Sequence, residues 1–151
     1  MPKLKNLTTD PVKENEGVWF DCVIPGLEPE PDPTDPEGKK MRVARFKLAR
    51  MNNEAFLQMQ TDMSERFKTA FRAGGKYAED AATEILLQCM ANTIVKAWEN
   101  IDGDDGKPLE CTPENVYASL RKYLAIREWI VQRASEHKPY KLIEDEEALG
   151  N

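Results

Sequence analysis

Met41-Arg-Val-Ala-Arg-Phe-Lys-Leu-Ala-Arg-Met-Asn-Asn-Glu-Ala-Phe56 joins two kinds of backbone in one short stretch. Met41–Leu48 reads as a strand, its apolar and β-branched residues set among cations. Asn52 and Asn53 can each cap a helix N-terminus. From Glu54 to about Arg72 the residues Phe56, Met59, Met63, Phe67, Ala70 and Phe71 recur at spacings of three and four. That spacing lays them along one stripe of a helix. With a strand before the asparagines and a helix after them, the stretch predicts an α+β fold, mainly α.

Upstream, Gly17-Val-Trp-Phe-Asp-Cys-Val-Ile24 is rich in aromatic and β-branched residues and reads as the partner strand. Between the two strands runs Pro25-Gly-Leu-Glu-Pro-Glu-Pro-Asp-Pro-Thr-Asp-Pro-Glu-Gly38. Its prolines lack N–H donors and bias their neighbours to extended backbone, which excludes helix and central strand. Carboxylates at positions 28, 30, 32, 35 and 37 keep it solvated. Residues 17–48 therefore predict an N-terminal β-hairpin with a long Pro-rich tip. Residues 1–16 are polar, with Asp10-Pro11 as a turn, and read as a flexible N-terminal arm.

Downstream, Gly74-Gly75 stops the first helix. A second, from about Tyr77 to Asn100, carries Leu86, Cys89, Met90, Ile94 and Trp98 on one face and is expected to be the most buried. Asp102-Gly-Asp-Asp-Gly106 is a tight turn. Thr112 then caps a short helix with Pro113 at its first position and Glu114 in its first turn. A last helix from about Tyr123 to Glu136 buries Ile126, Ile130 and Ala134, with Trp129 at the edge of that stripe. Residues 53–137 thus predict a small bundle of about four helices, completing a single globular domain over 17–137. Residues 138–151, with Glu144-Asp-Glu-Glu147, read as a frayed acidic C-terminal tail.

Composition narrows the function. The 151 residues suffice for one domain with a real core. Lys and Arg total 21 against 27 Asp and Glu, a net charge of -6 that disfavours nucleic acid as the default partner. No run approaches the roughly 20 apolar residues of a membrane span. The N-terminus lacks the apolar core of a secretory signal, so a soluble, intracellular protein is expected. Cys22, Cys89 and Cys111 form no CxxC pair, and His137 is the single histidine. Those counts offer little to a thiolate–imidazole nucleophile or to zinc. No Gly-rich phosphate loop follows a strand. The expectation is a protein that is not an enzyme and takes no cofactor or metal.

Three features invite chemistry. Where an EF-hand beginning at Asp102 wants glycine at its sixth position and glutamate at its end, this chain has Lys107 and Thr112-Pro113, which favours a solvated acidic turn. The cluster Lys39, Lys40, Arg42, Arg45, Lys47 and Arg50 suits either phosphate backbone or the solvated face of an edge-protecting strand, and the acids of the adjoining loop can offset its field. The stripe Met51, Met59, Met63 and Phe67 suits either an adaptable binding groove or ordinary core. Candidate partner-binding residues are accordingly Phe56, Met59 and Met63 on the first long helix and Trp19 and Phe20 on the hairpin, each read more readily as core than as interface.

The segment Ile94-Val-Lys-Ala-Trp-Glu-Asn-Ile-Asp-Gly-Asp-Asp-Gly-Lys-Pro-Leu-Glu-Cys-Thr-Pro-Glu-Asn115 resembles a signature of the tail assembly chaperones of long-tailed, siphovirus-like bacteriophages. There a helix ending in Trp-Glu-Asn precedes an acidic Asp-Gly-Lys-Pro turn and a Ser/Thr-Pro-Glu-Asn helix start. Gly17-Val-Trp-Phe20, Phe46-Lys-Leu-Ala-Arg50 and Asn53-Glu-Ala-Phe56 are similar too, so the resemblance covers residues 4–137. It departs at Pro25–Gly38, where a shorter connection is usual. The resemblance implies a non-catalytic factor of virion morphogenesis in the host cell cytoplasm. Such a factor binds the tape measure protein, helps recruit tail tube protein subunits and is absent from the mature virion. It also implies a longer product made by ribosomal slippage, with which Leu149-Gly150-Asn151 is compatible. The alternative is a structural virion component, a connector or tail-completion subunit retained in the particle. Self-association stays open under either reading.

Overall fold

The computed structural model describes residues 2–142. Its elements in chain order are α1 (Pro11–Glu16), β1 (Val18–Cys22), β2 (Glu30–Pro31), β3 (Met41–Arg42), β4 (Ala44–Leu48), α2 (Glu54–Arg66), α3 (Lys68–Ala73), α4 (Gly75–Thr93), β5 (Val95–Glu99), α5 (Pro113–Lys122) and α6 (Leu124–Ala134). This is a mainly-α α+β fold, as the sequence predicts. The expected hairpin is β1 against β4, antiparallel, with Val18 opposite Leu48, Phe20 opposite Phe46 and Cys22 opposite Ala44. Alternation along β4 buries Ala44, Phe46 and Leu48 and turns Arg45 and Lys47 outward, the period-two pattern of a half-buried sheet.

The sheet has a third strand where a helix was expected. α4 stops at Thr93, and β5 completes the order β1-β4-β5, with Phe46 opposite Trp98 and Arg45 opposite Glu99. Thr93-Ile94-Val95 supplies three consecutive β-branched residues, which crowd χ1 against the preceding turn of a helix and suit a pleated surface. The second edge of β4 was free to take them. The core joins this sheet to the helices: Phe46, Leu48, Phe56, Leu87, Met90, Ile94, Leu120 and Ile130 are all buried in one cluster.

Both ends of the described chain also differ from expectation. The N-terminal segment is tied down rather than flexible. Asp10 caps α1 by accepting from the Val12 N–H at 2.9 Å, Pro11 fills the first position, and the Arg50 N–H donates to Glu14 O at 2.8 Å. Gly17 leaves α1 at φ 99, where a Cβ would lie 3.0 Å from the Leu48 carbonyl carbon, so only glycine passes. At the other end Lys138–Tyr140 form a 3-10 turn and Tyr140 is fully buried, so the expected fraying does not begin at 138. The remainder of that tail, 143–151, lies outside the described residues. The first long helix is interrupted at Phe67, which separates α2 from α3.

The Pro-rich tip is built, not merely solvated. β2 pairs with β3 through Glu30 opposite Arg42. Asp32 accepts from the Thr34 N–H and hydroxyl, and Asp35 accepts from the N–H groups of Glu37, Lys39 and Lys40. These bonds hold both carboxyls below the usual aspartate range.

Candidate functional site

The five residues singled out on the sequence do not converge. Trp19 lies on the outer face of β1, with the Arg45 guanidinium 5.0 Å from its ring centroid. Phe20 faces inward, 6.4 Å edge-on from Trp129 and 6.2 Å from Tyr140 between ring centroids. Phe56 and Met63 are buried and Met59 is half-buried, all within the core cluster. Met63 of α2 thus belongs to the core and Met59 packs against it, while Phe67, just past the end of α2, lines a groove between α3, α4 and α6.

The basic cluster is largely neutralised, though only in small part by the loop acids. Arg42 pairs with Asp102 at 3.3 Å, Arg45 with Asp21 at 3.0 Å and Glu99 at 3.3 Å, and Arg50 with Glu14 at 4.0 Å. Only Lys39 takes its partner from the loop, Glu37 at 3.5 Å. The register makes Asp21, Arg45 and Glu99 neighbours across three strands, where opposite charges support the sheet. The acidic turn is likewise spent locally. Asp102 serves Arg42, Asp105 accepts from the Lys107 N–H at 3.0 Å, and the turn closes through the Gly103 N–H to Lys107 O at 2.8 Å.

Cys22 and Cys89 are buried and Cys111 half-buried, all as free thiols. Burial pushes the Cys22 thiol up to about 11, so it stays protonated and unreactive at neutral pH. The Nε2 of His137 is buried without a hydrogen-bond partner. Among the described residues no three His, Cys, Asp or Glu side chains gather as metal ligands. No helix among them is long and apolar enough to cross a membrane.

What the molecule does present is an apolar groove of about 630 Å³. One wall is the end of the hairpin, Ile24 and Leu27. A second is the end of β5 and its turn, Trp98, Ile101 and Leu109, and the third is the facing side of α5 and α6 with Ile126. The Trp98 indole N–H donates to Leu109 O at 2.7 Å, and its ring stands edge-on to Phe46 at 6.1 Å. Trp98 thus ties the turn to the sheet and fixes the shape of the floor. Lys122 and Asp104, 4.0 Å apart, lie at the groove's edge. Such a surface offers shape and apolar contact, the chemistry by which an amphipathic helix is held. Its walls come from three separated segments. The sequence signal for it was Ile24, Leu27, Ile101 and Leu109, apolar residues outside every predicted helical stripe.

A second groove, about 670 Å³, opens between the α3–α4 corner and the start of α6, lined by Phe67, Tyr77, Leu87, Arg121 and Arg127. Beside it the Tyr117 hydroxyl donates to Glu84, which also pairs with Arg121 at 3.6 Å.

Residues 51–151 match a protein family described as YdaY prophage protein. That span begins after β4 and takes in α2 to α6, β5 and two of the three walls of the apolar groove. No curated protein and no solved structure matches the chain.

Proposed function

Because the chain, through residues 51–151, belongs to the YdaY prophage protein family, we propose that this phage-derived protein is a tail assembly chaperone. In this reading it holds an apolar, helical segment of the tape measure protein in the groove between hairpin, β5 turn and α5–α6. It acts by contact alone, without catalysis, keeps the segment soluble until tail tube subunits arrive, and then leaves. The observation that carries the reading is that groove: partly exposed apolar side chains from three chain segments around a Trp98 floor that is hydrogen-bonded to Leu109 O. An extended helical protein with apolar stripes needs such cover before assembly, and a weak, largely apolar contact is one that polymerising subunits can displace.

The test pairs binding with particle composition. Leu27→Asp and Ile126→Asp place a carboxylate on two different walls of the groove at half-buried positions. Each is expected to abolish co-purification with the tape measure protein of the same prophage while retaining the native circular dichroism spectrum. Mass spectrometry of purified particles against lysate is expected to find the protein in lysate only. Undiminished binding by both variants would overturn the groove assignment. A fixed stoichiometry in particles would make the protein a structural subunit.

A further inference from the structure

Two features take no part in that reading, the Pro-rich acidic tip and the second groove, and their chemistries are complementary. Arg127 is half-buried at this groove. Among the described residues it makes no ion pair, whereas Arg42, Arg45, Arg50, Arg121 and Arg133 all do. A half-buried guanidinium without an acceptor carries a desolvation cost that an incoming carboxylate would relieve. The walls beside it are aromatic: Phe67 is half-buried and Tyr77 is 71% exposed. Aromatic rings in a groove are what extended proline segments dock against.

The chain carries such a segment. Pro29-Glu30-Pro31 lies at the hairpin tip, held extended by the β2–β3 pairing. The tip's aspartates are spent on their own loop, and Glu28 accepts from the Gly26 N–H at 3.0 Å. Glu30 is exposed and, among the described residues, its carboxylate has no partner. We propose that the Pro29-Glu30-Pro31 tip of one copy docks in the Phe67–Tyr77–Arg127 groove of a second copy, the Glu30 carboxylate on Arg127 and the prolines against Tyr77. The other charges at the groove favour a single carboxylate over a polyanion. Lys76 is paired with Asp80 at 3.5 Å and Arg121 with Glu84 at 3.6 Å, so a phosphate chain would meet two carboxylates there. Tip and groove are different surfaces, so the contact is heterologous, and a single contact leaves one tip and one groove free to which further copies can add head to tail.

Sedimentation velocity of the full chain, from micromolar to near-millimolar concentration, tests this. The wild type is expected to grow in mass with concentration and to fall back toward monomer in high salt. Glu30→Lys and Arg127→Gln are each expected to remain monomeric. An equimolar mixture of the two is expected to double in mass and stop, because only one tip–groove contact can form. Should Arg127→Gln lose its native circular dichroism spectrum, Tyr77→Ala, at an exposed position, replaces it. A wild type that stays monomeric throughout would overturn the proposal. So would assembly unchanged in Glu30→Lys, or a mixture that forms no dimer or grows beyond one.

Discussion

Asn53 shows how much one side chain settles. Its Oδ1 accepts from the Phe56 N–H at 2.9 Å and caps α2, while its Nδ2 donates to Arg50 O at 2.9 Å and to Thr93 O at 3.3 Å. The cap was legible in the Asn52-Asn53 pair. The reach to Thr93, at the end of α4, was not, because nothing local marks a partner forty residues away. Asn52 takes the left-handed turn at φ 63 that leads into the cap, a conformation asparagine tolerates better than most residues. Met63 has the same double character: helical spacing put it on a stripe, but spacing alone does not say whether a stripe meets a partner or the core. The structure leaves it 8% exposed in the core cluster. Met63→Glu therefore buries an unpaired carboxylate and is expected to cost at least about 3 kcal/mol. Urea denaturation should show this as a large fall in midpoint or as a chain that does not fold. A variant that folds with near-wild-type stability would instead place Met63 on an interface.

Among the elements, those with local punctuation were the legible ones. Thr112-Pro113-Glu114 announces α5, and Thr112 Oγ1 does accept from the Asn115 N–H at 3.1 Å. Thr112→Ala is expected to lower stability by about 1 kcal/mol and Thr112→Ser by only a few tenths. Equal losses in paired urea titrations would mean that the Thr112 methyl group, not the cap, matters. β5 was misread because its apolar residues continue the helical stripe of α4. What decides is the second edge of β4, which β5 pairs with, and the Ala49 N–H just past β4 donates to Ile94 O at 2.8 Å where α4 ends. Tertiary pairing outweighed periodicity there, the commonest way a short segment escapes a sequence reading. For the same reason the apolar groove was legible only as apolar residues left outside the helical stripes: Leu27, Trp98 and Ile126 have no sequence relation until β5 and its turn bring them together.

Across the whole molecule, the two ends of the described chain are clasped over the sheet. The Asp10 N–H donates to Tyr140 O at 2.9 Å and the Leu142 N–H to Thr8 O at 3.0 Å, while Lys13 Nζ donates to Lys141 O at 3.1 Å. Tyr140 is the pin: fully buried, packed against Phe20, with its hydroxyl donating to Leu48 O at 3.0 Å. Two segments that look polar and terminal on the sequence thus become structural because one aromatic residue reaches the centre of the sheet. The pin has two separable parts. Tyr140→Phe keeps the ring and leaves the Leu48 carbonyl without its side-chain donor, so it should cost about 1–2 kcal/mol. Tyr140→Ala also empties the ring's volume beside Phe20 and should cost about 3–5 kcal/mol. Because the clasp hangs on the ring, Tyr140→Ala should also speed hydrogen exchange at the Asp10 and Leu142 amides far more than at core amides of α4. Tyr140→Phe should leave those two amides nearly as protected as in the wild type. Similar exchange at Asp10 in both variants would show that the backbone bonds hold the termini without the pin.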